Sequence, residues 1–154
     1  MSYGIRPATT ADVPHIARHR EQMFRDMQIQ ARFDEMAAGM ESWLRHAIPS
    51  HVYRGWMAVT EHREVVGGGG LIVIPWPPGP ISLDPRCGFV FNVYVETEHR
   101  KQGLARRIMD AMHDHCRAQG IERMVLNAST FGRPLYEDMG YVVTTEPMMR
   151  IRLA

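Results

Sequence analysis

Residues 88–119 limit most strongly how this chain can fold. They open with GFVFNVYV, a run rich in β-branched and aromatic side chains that is typical of a strand buried on both faces. A helical pattern over 101–119 follows, in which Leu104, Ile108 and Met112 recur at every fourth position and form one apolar face. A strand that leads through a short turn into an amphipathic helix indicates a mixed α/β fold.

The remainder of the chain shows the same two kinds of pattern. Strands are predicted at 3–8, 53–60, 65–74, 88–95, 123–129, 141–143 and 148–153. Helices are predicted at 9–27, 33–48, 101–119 and 133–139. The run of glycines at 67–70 fits a strand bulge or leaves room for a neighbouring group. No linker or internal repeat is visible, so we expect a single domain over residues 1–154.

Composition narrows the class of partner. Hydrophobic residues make up 45% of the 154 residues and the net charge is +1, which is typical of a globular protein and gives no global attraction to nucleic acid or membranes. The two cysteines, Cys87 and Cys116, have no regular spacing, so we expect free thiols in a reducing compartment. No signal-peptide pattern and no apolar stretch of membrane-spanning length is visible, so we expect a cytoplasmic protein.

The turn after the strand at 88–95 carries cations where a helix N-terminus is already positive. Arg100 and Lys101 precede Gly103, which lets the backbone approach a ligand closely because it has no Cβ. Unpaired backbone N–H groups converge at such a turn and bind phosphate. We therefore expect an anion site here, with a solvated basic helix start as the alternative. The turn is neither a Walker loop nor a dinucleotide-binding loop, because GxxxxGK and GxGxxG are absent.

Two motifs, in this order, resemble those of the GCN5-related N-acetyltransferases. The first is Arg100-x-x-Gly103-x-Ala105 after the fourth strand, and the second is PLYEDMGY at 134–141, with a similar spacing between them. The opening IRPAT and the helix pair after the first strand extend the resemblance over nearly the whole chain. It implies a single N-acetyltransferase domain with a central mixed, mostly antiparallel sheet flanked by helices. It also implies an enzyme that transfers an acetyl group from acetyl-CoA to the primary amine of a small molecule or peptide.

The resemblance implies a role for each position that matches the family. The main chain of residues 93–95 would bind the pantetheine arm and stabilise the oxyanion, and the N–H groups of the helix start would bind the pyrophosphate. The implied cofactor-binding residues are Val93, Tyr94, Val95, Arg100, Lys101, Gln102, Gly103, Leu104, Ala105, Asn127 and Ser129. Ser129 stands where many members have Asn, and Gly132 where many have Ala, so the detailed contacts stay open.

The implied reaction is direct attack of the amine on the thioester within a ternary complex. A lysine-like amine has a pKa of about 10.4, so a base, a proton wire or a desolvating pocket must make it neutral. The resemblance implies that the Tyr136 phenol protonates the departing thiolate. The base is left open: Glu96 and Asp84 flank the fourth strand, and Asn92 with Tyr94 is a candidate pair for ordering a water in the cleft.

The sequence leaves the acceptor and the assembly open. Metal ligation is not expected, because His113 and His115 point apart on a helix and the other histidines show no ligand spacing. A non-catalytic acyl-CoA sensor or interaction module on the same fold is the alternative to an enzyme. The segment 75–87 and the helices over 11–48 are expected to shape the acceptor site. A homodimer is possible, because the strand predicted at 148–153 can pair with another subunit.

Overall fold

The computed structural model describes residues 1–153, which form one sheet of five strands with helices packed on it. The strands are β1 (Tyr3–Pro7), β2 (Arg54–Thr60), β3 (Val65–Pro75), β4 (Arg86–Val95) and β5 (Met124–Leu126). The helices are α1 (Val13–Asp26), α2 (Phe33–Ala47), α3 (Leu104–Ala118) and α4 (Arg133–Asp138). Short 3₁₀ turns at Thr10–Asp12 and Thr97–His99 precede α1 and follow β4. None of the helices within residues 1–153 has both the length and the apolar character that crossing a membrane requires.

The strands lie in the order β1-β2-β3-β4-β5, and β1 to β4 pair antiparallel with their neighbours. β5 pairs parallel to β4, with Gly88 opposite Met124 and Val90 opposite Leu126. The sheet is therefore mixed and mostly antiparallel, which confirms the fold class that the resemblance implied. β2 and β3 form the hairpin that their sequences predicted.

Consecutive residues of β2 and β3 point into different cores, as the alternation of a strand requires. Met57 and Val65 pack with α1 and α2, whereas Ala58 and Val66 pack with α3. α1 and α2 therefore cover one face of the sheet, and α3 covers the other. α3 does so with the predicted apolar face, whose buried residues are Leu104, Ile108, Met109, Met112 and Cys116.

The glycine run in β3 lets side chains from both helical layers approach the backbone. A Cβ at Gly70 would lie 2.0 Å from the phenol oxygen of Tyr53, and one at Gly69 would lie 2.5 Å from Cε of Met112. The pairing of β3 with β4 shifts register within this run, opposite Asn92, whose φ is 59°. The two uses predicted for the run, a bulge and room for a neighbour, are both confirmed.

Three elements are clearly shorter than predicted, each for a local reason. α1 begins at Val13 rather than at residue 9, because Thr10–Asp12 form a 3₁₀ turn. α3 begins at Leu104 rather than at residue 101, because Lys101 and Gly103 have φ values of 61° and 74°, which a right-handed helix excludes. β5 covers only Met124–Leu126 of the predicted 123–129, because β4 and β5 stop pairing beyond that point.

The strands predicted at 141–143 and 148–153 are wrong, since neither segment forms a strand. Val142, Met149 and Ile151 are exposed to 84%, 88% and 82%. The alternating pattern of MMRIRL suits a strand, but a strand also needs a neighbouring edge to satisfy its N–H and C=O groups. Within residues 1–153 neither segment pairs with a strand of the sheet, so the predicted element order holds only as far as α4.

Cys87 and Cys116 are buried free thiols, as predicted. Burial raises the pKa of both thiols, so both stay protonated near neutral pH.

Candidate active site

A gap opens in the sheet where β4 and β5 part. The two strands pair only from Gly88 to Val90 and from Met124 to Leu126. Beyond Val90, the edge of β4 that faces β5 has no partner strand within residues 1–153, while its other edge stays paired with β3. The predicted pantetheine segment, 93–95, lies on this open edge. An extended ligand chain can bind there as an additional strand would.

The loop that follows β4 presents a row of free N–H groups. The first helical hydrogen bond of α3 runs from the N–H of Arg107 to the carbonyl of Gly103, at 3.1 Å. Among the hydrogen bonds within residues 1–153, no N–H from Lys101 to Arg106 is a donor. A Cβ placed on Gly103 would meet no atom within 4 Å, so the space in front of this loop is open. The loop therefore has free N–H donors and enough open space for the anion that the sequence predicts there.

The Arg100 side chain lies away from these N–H groups. Its Nε donates to the carbonyl of Val95 at 2.8 Å, and its Nη2 donates to Oδ2 of Asp26 at 2.9 Å. The guanidinium also lies 5.3 Å from the ring centroid of Tyr94 and 5.4 Å from that of Phe131. Arg100 therefore joins the end of β4 to the end of α1, and its charge is neutralised by Asp26.

The residues predicted to border the cofactor after β5 lie at the far side of the gap. Asn127 is exposed immediately after β5. The Ser129 hydroxyl accepts a hydrogen bond from the N–H of Gly132 at 3.0 Å, so it caps the turn that leads into α4. Gly132 itself is the N-cap of α4, and a Cβ on it would lie 3.0 Å from Cε2 of Tyr136.

Tyr136 is buried in the core that α3 forms with the sheet, and 9% of its surface is exposed. Its ring packs edge-on against Tyr141, with 5.9 Å between centroids. Burial raises the pKa of the Tyr136 phenol, so the phenol carries its proton at neutral pH. Its hydroxyl has no hydrogen-bond partner within residues 1–153, whereas the Tyr141 hydroxyl lies 2.8 Å from Nε2 of His113. The Tyr136 hydroxyl is therefore protonated and forms no hydrogen bond with the described residues.

Asn92 lies at the bulge of β4 and is 6% exposed. Its Oδ1 accepts a hydrogen bond from Nη1 of Arg20 at 2.6 Å, and its Nδ2 donates to the phenol oxygen of Tyr53 at 3.2 Å. Burial raises the pKa of Tyr53 to about 12, so this phenol is neutral. Asn92, Tyr53 and His19 line a cavity of about 10 Å³, at the lower limit for one water molecule. The Asn92 amide is therefore fixed by two partners.

Glu96 follows β4 and contacts two basic side chains of α1. Its Oε1 lies 3.1 Å from Nε2 of His19 and 2.5 Å from Nη2 of Arg18. Burial lowers the pKa of His19, and the hydrogen bond to Glu96 opposes that change. A neutral His19 donates its ring N–H to the carboxylate, and the ring lies 5.2 Å from that of Tyr94.

These side chains line one wall of a groove of about 340 Å³, together with Gln22 and Glu98. Asp84, the other candidate base, lies at the opposite end of β4. It accepts hydrogen bonds from Arg86 and from the N–H of Glu122. The structure therefore brings Glu96, but not Asp84, to the end of the strand that carries the open edge.

Sequence reasoning missed His19, Arg20 and Tyr53 as members of this site. The sequence does carry one signal for Arg20, because it stands four residues after Ile16 and four before Phe24, within the inward stripe of α1. A cation in an apolar stripe needs a buried partner. Tyr53 comes from a distant part of the chain, and only the fold brings it to Asn92.

Within residues 1–153, no group of three or more His, Cys, Asp or Glu side chains is arranged to hold a metal ion.

A family model described as the acetyltransferase (GNAT) family matches residues 16–141. Among solved structures, the chain is similar to a GCN5-related N-acetyltransferase from Ralstonia eutropha JMP134, with a TM-score of 0.90 and 33% identity over 97% of this chain and 99% of that one. It also shares its fold with a predicted acetyltransferase from Clostridium acetobutylicum, solved with acetyl-CoA, at a TM-score of 0.88 and 22% identity over 97% and 96% of the two chains.

Human N-acetyltransferase 8 is 29% identical over 92 residues, which are 58% of this chain and 38% of the human protein. This chain therefore spans little more than a third of that relative's length. The family match and the Ralstonia structure, by contrast, extend over most or nearly all of the chain. The chain belongs to the GNAT family of acetyltransferases.

Proposed function

We propose that this protein transfers an acetyl group from acetyl-CoA to the primary amine of a small molecule or peptide by direct attack within a ternary complex. The observation that carries the proposal is the continuity of two features. The open edge of β4 ends in a loop whose N–H groups, from Lys101 onward, have no partner within residues 1–153. An extended arm and an anionic group fit these two features in the order in which acetyl-CoA carries them.

The cofactor would be held mainly by main-chain groups. The N–H and C=O groups of Val93, Tyr94 and Val95 would bind the pantetheine arm, and the N–H groups from Lys101 to Ala105 would bind the pyrophosphate. Arg100 would act by fixing the loop through Val95 and Asp26 rather than by contacting phosphate. The residues that we assign to cofactor binding, by direct contact or by positioning the loop, are Val93, Tyr94, Val95, Arg100, Lys101, Gln102, Gly103, Leu104, Ala105, Asn127 and Ser129.

When bound, acetyl-CoA supplies a thioester whose carbonyl carbon the amine attacks. We assign the acceptance of the amine proton to Glu96, directly or through a water. His19 and Arg18 hold this carboxylate in position, since both contact its Oε1. An N–H of the open β4 edge would stabilise the negative charge that develops on the carbonyl oxygen.

Tyr136 would donate the proton that the departing thiolate needs. Its raised pKa keeps the phenol protonated, and no group of residues 1–153 competes for its hydrogen. Asn92 would contribute indirectly, because its two hydrogen bonds fix the bulge from which residues 93–95 continue.

The test is to incubate the protein with acetyl-CoA and a panel of amines and to follow the release of free thiol. The panel contains small primary amines, a lysine peptide and a peptide with a free N-terminus. We expect thiol release that requires an acceptor and acetylation of that acceptor by mass spectrometry. Binding of CoA without acceptor-dependent release would contradict the proposal and would favour a non-catalytic acyl-CoA sensor.

A further inference from the structure

Arg20 is a half-buried cation without an acidic partner. Its Nη1 donates to the neutral amide of Asn92 at 2.6 Å, and its guanidinium lies 5.0 Å from the ring centroid of Phe24. Within residues 1–153 it forms no ion pair with Asp or Glu, and burial lowers its pKa with no carboxylate to oppose that change. A guanidinium has five N–H donors, so one amide oxygen leaves most of them unused.

Three other half-buried arginines of residues 1–153 are neutralised by an acidic side chain. Arg6 pairs with Asp12, Arg86 with Asp84, and Arg100 with Asp26. Arg54 and Arg123 also lack an acidic partner within residues 1–153, but Arg54 lies at the start of β2 and Arg123 just before β5, and neither forms a hydrogen bond with Asn92. Removing a cation from water without a counter-charge is unfavourable, so an unpaired Arg20 is a position at which an anion from outside the chain stabilises the protein.

The position of Arg20 links it to the reaction. Its hydrogen-bond partner Asn92 directly precedes Val93, where the open edge of β4 is expected to hold the acyl arm. The residue before it, His19, contacts Glu96, the proposed proton acceptor. Two consecutive residues of α1 therefore lie near the expected reaction: His19 contacts the proposed base, and Arg20 carries a positive charge beside Asn92.

We propose that Arg20 binds an oxyanion group, a carboxylate or a phosphate, on the amine acceptor. The acceptor is then an amine that also carries a negative group, and the guanidinium fork binds that group through two parallel hydrogen bonds. This inference rests on the proposed acetyl transfer and deepens it by naming the class of acceptor. A net charge of +1 gives the whole protein little pull on anions, so the preference must come from this local cation.

The experiment compares matched amines that differ in one group. The pairs are 4-aminobutyrate with 4-aminobutanamide, and O-phosphoethanolamine with ethanolamine. For at least one pair, we expect the wild type to show about a 10- to 100-fold higher kcat/KM for the anionic member, the range of a charge-assisted hydrogen-bonded pair. The pair that shows the preference distinguishes a carboxylate from a phosphate.

Arg20→Gln should abolish the preference, so that kcat/KM for the anionic member of the pair falls about 10- to 100-fold further than kcat/KM for the neutral member. A loss common to both members reports only the missing hydrogen bond to Asn92. Arg25→Gln is the matched control on the same helix, because Arg25 pairs with Glu21 at the surface. It should keep the wild-type preference. Equal use of both members of each pair by the wild type, or an equal loss for both in Arg20→Gln, would overturn the inference.

A second measurement does not depend on turnover or on the stability of that variant. In the wild-type complex with CoA, the Arg20 guanidinium NMR signal, assigned by its loss in Arg20→Lys, is followed while butyrate, phosphate or butanamide is added. A saturable shift with an anion but not with butanamide supports the inference, and no shift with either anion refutes it. Acetylation of neutral amines without any anionic preference would leave the proposed function intact and remove only this inference.

Discussion

Nε2 of His19 lies 3.1 Å from Oε1 of Glu96, and 2% of the surface of His19 is exposed. The pair joins the middle of α1 to the end of β4 across 77 positions of sequence. Because the histidine is buried, it is held neutral, and the carboxylate that it contacts borders the groove.

The first prediction concerns acid stability. The pKa of His19 is below its ordinary value of 6.5 in the folded state, so the unfolded chain binds more protons as the pH falls through that value. The free energy of unfolding should therefore fall as the pH drops below about 7, and it should fall less steeply in His19→Gln. Urea unfolding of both proteins across this range checks the slopes. Parallel curves would show that His19 is not the group responsible.

The second prediction concerns Glu96. Glu96→Gln should lower kcat by about 100-fold at neutral pH, because a positioned base contributes on that order. The loss should shrink as the pH approaches the pKa of the amine, since the amine then needs no base. Steady-state rates against pH provide the measurement. Glu98→Gln, in the same groove, is the control and should keep both the rate and the pH profile.

The third prediction separates binding from proton donation. Tyr136→Phe should lower kcat by roughly 100-fold with little change in the affinity for CoA, because it removes a proton donor and keeps the ring. Tyr141→Phe is the matched control, since that phenol contacts His113 instead. Calorimetric binding of CoA and stopped-flow thiol release measure the two quantities. Equal rates in Tyr136→Phe and the wild type would remove Tyr136 from the reaction.

The fourth prediction tests the anion loop. Gly103→Glu places a carboxylate and a longer side chain into the open space before the free N–H groups, so CoA should bind at least about tenfold more weakly. The control is Gly39→Glu at an exposed position of α2, where an added Cβ also meets nothing within 4 Å. Its affinity for CoA should match that of the wild type. An unchanged affinity in Gly103→Glu would mean that the pyrophosphate binds elsewhere.

The fifth prediction concerns Asn92. Asn92→Ala leaves the phenol of Tyr53 and the guanidinium of Arg20 without their amide partner, so the free energy of unfolding should fall by about 1–3 kcal/mol. Turnover should fall as well, because the bulge loses its support. Asn127→Ala, at an exposed position, should change stability little. Wild-type turnover and an unchanged pH-rate profile in Asn92→Ala would exclude any part for Asn92 in the transfer.

The features that sequence predicted correctly are set by local rules. The apolar spacing of Leu104, Ile108 and Met112 fixes one helix face, and the strand–turn–helix order fixes the place of the N–H groups. The motifs around Gly103 and Tyr136 indicated the family, and the family implied a mixed, mostly antiparallel sheet. These are properties of short segments, which is why they can be read without coordinates.

The features that sequence missed depend on distant partners. Residues 148–153 have a strand pattern but pair with no strand of the described residues, so the pattern alone predicted a strand that does not form. Likewise, the direction of the Arg100 side chain follows from the position of Asp26, which is 74 residues away in sequence. The contacts of Arg20 and His19 require α1 to lie on β4, and no periodicity in the sequence specifies that packing.

The glycine run of β3 lets side chains from both helical layers lie directly against the backbone of the sheet. With no Cβ at Gly69 or Gly70, the phenol of Tyr53 from one layer and the thioether of Met112 from the other both rest on bare backbone. At this point only the backbone of the sheet separates the layer of α1 and α2 from the layer of α3. Any larger residue at Gly69 or Gly70 would displace Met112 or Tyr53. Displacing Tyr53 would also disturb its hydrogen bond with Asn92, which contacts Arg20. These two positions should therefore accept only glycine when every residue is tried in turn.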